Sequence, residues 1–85
     1  MKEFRYTITD PEGIHARPAG ELVKVAKTFA SAISIVKDGK KADAKKLFGL
    51  MGLGVKQGME ITVQAEGDDE AAAAEALEAF LKANL

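Results

Sequence analysis

The chain contains no cysteine and no tryptophan, only one tyrosine and only one histidine. Without cysteine there is no disulfide framework and no thiolate metal site, and a lone histidine cannot assemble an imidazole cluster. Neither a metal nor a cofactor is therefore expected. No apolar run approaches the roughly 20 residues that cross a bilayer, and the first residues already alternate like a strand. The expectation is a soluble, cytoplasmic protein with no membrane insertion. Aromatic residues are too few to interleave with the positive charges as a base-stacking platform, so nucleic acid is not an expected partner. Eighty-five residues suffice for one domain, residues 1–85, with a single two-layer core and no deep enclosed cleft. Any chemistry belongs on the surface.

The formal net charge is only -1, yet its distribution is uneven. Residues 1–46 carry ten Lys/Arg against six Asp/Glu, a balance of +4, whereas residues 47–85 carry two against seven, a balance of -5. An acidic protein surface is the partner that suits the basic half.

Period-two alternation at Phe4, Tyr6 and Ile8 predicts a strand over residues 2–9, and Asp10-Pro11-Glu12-Gly13 reads as a turn. Ala19, Leu22, Val23, Ala26 and Phe29 recur at helical spacing, predicting a helix that starts between 15 and 18. A β-branched stretch at 32–37, the dipeptide Asp38-Gly39 and residues 40–42 form a predicted hairpin, with Lys40 and Lys41 suited to an edge strand. The segment 45–53 is apolar on more than one side, and Gly49 and Gly52 each cost about 1 kcal/mol inside a helix. It is predicted to be a short helix ended by Gly54. Its surplus hydrophobes either fill the core or form an exposed docking patch of Phe48 and Met51 with Leu47. Ile61, Val63 and Ala65 define a fourth strand. Asp68 or Asp69 is expected to cap a last helix with Ala73, Leu77, Phe80, Leu81 and Asn84 along one side. The order βαββαβα implies an α+β fold with helices on one face of an antiparallel sheet, a pattern that a ferredoxin-like fold also satisfies.

All candidate chemistry converges on Gly13-Ile14-His15-Ala16-Arg17-Pro18-Ala19-Gly20. Imidazole exchanges protons or a phosphoryl group near neutral pH without a metal. At the start of a helix the amides of Ala16 and Arg17 lack intrahelical partners, and the dipole adds positive potential, so an anion is welcome there. The same dipole favours neutral, nucleophilic imidazole over imidazolium. Arg17 supplies a permanently charged, planar donor. A histidine that merely caps the helix fits these residues equally well.

The first motif after a short alternating strand, together with Lys45-Lys46-Leu47-Phe48-Gly49-Leu50-Met51-Gly52-Leu53-Gly54 further on, resembles the HPr family, the histidine-containing phosphocarriers of the bacterial sugar phosphotransferase system. The likeness spans essentially the whole chain. It implies an open-faced sandwich, a four-stranded antiparallel sheet covered on one face by three helices. It further implies that phosphoenolpyruvate phosphorylates enzyme I, that enzyme I passes the group to Nδ1 of His15, and that His15 donates it to sugar-specific IIA proteins. Arg17 is implied to assist the phosphoryl group, and Leu47, Phe48 and Met51 to dock partners. Such a chain is a stoichiometric carrier, not an enzyme, and is expected to be a monomer. Where many Gram-positive relatives have a regulatory serine, this sequence has Lys46, so no control by a serine kinase is expected there. Lysine also forfeits a helix cap at a cost of about 1 kcal/mol or less. Rival readings are the nitrogen-branch paralogue of the same carrier and a purely regulatory binding module.

Overall fold

The elements β1 (Lys2–Thr7), α1 (Ala16–Lys27), β2 (Ala32–Lys37), β3 (Lys40–Asp43), α2 (Leu47–Gly52), β4 (Glu60–Glu66) and α3 (Glu70–Asn84) follow one another in the computed structural model, which describes residues 1–85. Every strand pairing is antiparallel, and the spatial order is β1-β4-β2-β3. The last strand thus enters between the first two. All three helices lie over one face, as an open-faced sandwich requires, and no helix is long and apolar enough to cross a membrane.

Side-chain alternation fixes the register. Phe4 and Ile35 flank Val63 from opposite sides, while Tyr6 pairs with Ile61 and Ile33 with Ala65. These residues form the inner face and meet Ala19, Leu22 and Ala26 of α1 and Ala73, Leu77 and Leu81 of α3. A one-residue slip would send the whole set to water, so burial itself enforces the pairing. The outward residues Arg5, Thr62, Gln64 and Lys41 are polar. Both edges carry charge, Lys2 and Arg5 on β1 and Lys40 and Lys41 on β3. Asp38 and Gly39 both have positive φ, 49° and 79°, the turn that matches the twist of a tight hairpin.

Element ends depart from the periodicity where tertiary bonds take over. Regular pairing of β1 stops at Thr7, because the Ile8 amide donates to Met59 O and the Thr9 amide to Leu85 O. Helix α1 stops at Lys27, two residues before the apolar stripe does, as Thr28 donates both its amide and its hydroxyl to Val25 O. Phe29 still packs on the core from the following turn.

Asp69 occupies the N-cap position of α3, but its carboxylate makes no bond to that helix. It accepts instead from the amides of Ala30 and Ser31, at 2.8 and 2.9 Å, and from the Ser31 hydroxyl. The expected local cap is a long-range staple between α3 and the loop that enters β2. A buried hydroxyl and two loop amides need an acceptor, and a carboxylate satisfies all three with charge-assisted bonds.

Chiefly through the Ser31 hydroxyl, then the Ala30 amide, this arrangement holds the Asp69 carboxyl below its ordinary value. A carboxyl lowered on folding contributes stability that is full above the unfolded value and is lost as the pH falls through the folded one. Asp69→Asn is therefore expected to be less stable at neutral pH and to lose less on acidification than wild type. Urea denaturation across an acidic pH series checks both.

Candidate functional site

The segment that carries His15 is irregular, so its position depends on bonds to two other parts of the chain, the C-terminal residue and the segment between α2 and β4. Leu85 O accepts from the amides of Thr9 and Asp10 and from the Thr9 hydroxyl, which fixes the entry. Gln57 Nε2 donates to Thr9 O at 3.1 Å. The exit is held by the Ile14 amide, which donates to Val55 O at 3.1 Å while the Ile14 side chain enters the core. Between them, Asp10 O accepts from the Gly13 amide, and Asp10 Oδ1 accepts from the Glu12 amide at 2.8 Å. This side-chain turn is the geometry that aspartate favours. Gly13 is buried with φ 68°, and a Cβ there would lie 2.2 Å from Val55 O and 2.7 Å from Lys56 Cα. Only a residue without a side chain fits.

His15 is the N-cap residue of α1, in extended conformation, and its side chain makes no capping hydrogen bond. The reading in which the histidine merely caps the helix finds no such bond here. Its carbonyl accepts from the Ala19 amide, which begins the helical ladder, and the amides of Ala16 and Arg17 have no protein acceptor. Pro18, buried in the first turn, has no amide to leave unpaired. Two adjacent donors at the helix start are therefore left without a protein partner next to the histidine in sequence.

The imidazole is partly open, with 37% of its side-chain surface exposed. It lines an open depression of about 250 Å3 with Asp10, Arg17, Pro18, Glu21 and Asn84. Arg17 is exposed and forms no ion pair with any carboxylate. His15 Nε2, by contrast, lies 3.4 Å from Glu12 Oε2 and 3.8 Å from Asp10 Oδ1. Cationic and anionic groups thus share one shallow site. No group of three or more His, Asp or Glu is arranged to hold a metal ion.

Helix α2 packs on α1 and β3, but none of its residues lines the depression. Its apolar residues divide as their positions require. Leu50 and Leu53 are buried, Leu47 is half-buried against the core, and Phe48 and Met51 are 87% and 40% exposed. Lys46 sits at the N-cap of α2, exposed and without a capping bond. Ahead of the helix, Asp43 closes a turn of its own: its Oδ1 accepts from the Lys45 amide at 2.9 Å.

Asp10 and Glu12, which the sequence assigns only to a turn, Asn84, which it assigns to the apolar side of α3, and Glu21 of α1 are neighbours at the site. For Glu12 a signal was present, since a carboxylate three residues before a histidine can fold back on it in a tight turn. Asn84 carried none. It reaches the site because α3 ends beside the start of α1.

Residues 2–83 match the family described as PTS HPr component phosphorylation site. The Lysinibacillus sphaericus phosphocarrier protein HPr is 49% identical over 81 residues, covering 95% of this chain and 92% of that protein. Among solved structures, HPr from Thermoanaerobacter tengcongensis superposes with a TM-score of 0.94 at 44% identity, covering 98% of this chain and 93% of that one. The Bacillus subtilis catabolite-repression protein Crh, solved as a dimer with a swapped domain, gives 0.79 at 39% identity, covering 100% and 98%. Motif, sheet order and relatives agree, and the chain belongs to the HPr phosphocarrier family of the phosphotransferase system.

Proposed function

We propose that this chain accepts a phosphoryl group on His15 from phospho-enzyme I, ultimately from phosphoenolpyruvate, and donates it to sugar-specific IIA proteins in the cytoplasm. One observation carries the reading: a partly open imidazole stands at a helix start beside two unpaired amides and an unpaired guanidinium. Phosphoryl transfer depends mainly on alignment and on neutralising the equatorial oxygens. On this reading the amides of Ala16 and Arg17 and the Arg17 side chain do both. A site open to water suits a carrier, because a phosphate held too tightly could not be passed on. The chain is then a stoichiometric shuttle acted on by its partners rather than an enzyme.

The partner surface combines the basic residues of the first half with Phe48, Met51 and the exposed part of Leu47. Charge guides encounter with acidic partners, and a few apolar side chains give grip in a short-lived complex. Lys46, an exposed ammonium with no hydroxyl, adds to that attraction and offers a serine kinase nothing to phosphorylate. The likeness to Crh favours one second reading, a regulatory module that binds partners as a dimer without carrying phosphate; the nitrogen-branch carrier is told apart by the IIA protein that it serves.

Intact mass after incubation with enzyme I, magnesium and phosphoenolpyruvate separates these readings. One added phosphoryl group that is acid-labile and absent from His15→Ala is the expected result; no mass change in a folded wild-type chain favours the regulatory module. Transfer assays with each class of IIA protein identify the branch. Phe48→Ala is expected to slow transfer about tenfold, the loss of one apolar anchor worth about 1–2 kcal/mol. Its circular dichroism and thermal unfolding should match wild type, because the side chain is outside the core.

A further inference from the structure

The carboxylates beside the imidazole are not needed to bind an anion, and their charge opposes one. Glu12 Oε2 lies 3.4 Å and Asp10 Oδ1 3.8 Å from Nε2, one particular nitrogen of the ring. These distances are longer than a fully formed hydrogen bond and short enough for direct charge attraction. Asp10 cannot drift away, since the same Oδ1 accepts from the Glu12 amide at 2.8 Å. That bond also fixes the backbone from which the Glu12 side chain reaches three residues forward. The other charged groups around the depression, Arg17 and Glu21 on α1, come within 4.0 Å of neither the imidazole nor each other as ion pairs.

A neutral imidazole carries its one proton on either nitrogen, and the hydrogen bond made by one nitrogen decides which remains a nucleophile. A carboxylate accepts only, so it favours the tautomer that presents N–H to it. Resting on the carrier reading above, we propose that Glu12, supported by Asp10, is a positioning residue that holds the proton of neutral His15 on Nε2 and leaves the Nδ1 lone pair to take the phosphoryl group. The step then balances without proton movement. The Nδ1 lone pair forms the new N–P bond as the P–N bond of the donor phosphohistidine, protonated on its other ring nitrogen, breaks, and that electron pair returns to the donor ring, which leaves as neutral imidazole. The Nε2 proton stays in place while the ring of His15 gains cationic character, which the two carboxylates stabilise from the edge opposite the phosphate. Donation to the next acceptor reverses these changes. This is the service that a buried aspartate performs for the histidine of a serine protease, here supplied by a turn at the surface.

The test is the tautomer itself, read from two-bond 1H–15N correlations of ring-labelled protein at about pH 9, above the ordinary imidazole range. Wild type is expected to be predominantly the Nε2–H form. Glu12→Ala should lower the ratio of Nε2–H to Nδ1–H about threefold, as befits a partly exposed charge contact. Glu12→Gln, which keeps an acceptor oxygen without the charge, should fall between. The rate of phosphoryl acceptance from phospho-enzyme I should follow the same order. An unchanged ratio in Glu12→Ala overturns the proposal, as does a rate indifferent to a changed ratio. A wild-type chain that takes no phosphoryl group overturns the carrier reading instead, whatever its tautomer.

Discussion

The close approach of Gly13 and Ile14 to the Val55 carbonyl is the contact on which the rest of the site depends. It pins an irregular loop to the segment between α2 and β4, and it does so one residue before the histidine. Helix α1 can then start with its first amides unpaired and facing solvent, because the chain enters the helix in extended conformation at His15. Anchored by Leu85 at the other end, the loop brings together the beginning, middle and end of the sequence. A surface site with no enclosing walls still acquires fixed geometry from this tethering, and fixed donors are what phosphoryl chemistry uses.

Helix α2 obtains its order in a different way. It is six residues long, contains two glycines, has no acidic residue in its first turn and none that is basic in its last, and is not stabilised by a side-chain cap. Such a helix is unstable alone. Neighbours supply what it lacks. Leu50 is fully buried beneath it, and Lys37 of β2 donates from Nζ to Leu53 O at 2.8 Å, placing a cation at the carbonyl end of the dipole. Lys45 reaches Phe29 O at 2.8 Å and links the start of α2 to the end of α1. The outward side is left for Phe48 and Met51, so the patch rests on a platform whose stability comes from elsewhere.

Charge at His15 is balanced rather than maximised. The helix start and Arg17 attract an anion, and Asp10 and Glu12 oppose it from the other edge of the ring. A reading of the dipole alone misses the second half of this field. On the proposed carrier function, in which a group is both received and surrendered, opposing contributions keep the bound state from becoming a trap.

Much of the architecture was legible because it is local. Period-two alternation marks the inner faces of β1 and β4, helical spacing marks the buried stripe of α1, and Asp38-Gly39 specifies its own turn. The placement of Ala16 and Arg17 amides follows from any helix that begins near Pro18, and the split among Leu47, Phe48, Leu50, Met51 and Leu53 follows from there being too many apolar residues for one stripe. What the pattern left open depends on partners distant in sequence. The insertion of β4 between β1 and β2, Asp69 bonding Ser31 instead of its own helix, Asn84 at the edge of the histidine site and Lys37 at the end of α2 all join residues far apart in the chain. Local periodicity reports which face of an element is buried; only the packed chain decides which surface covers it and which side chains meet there.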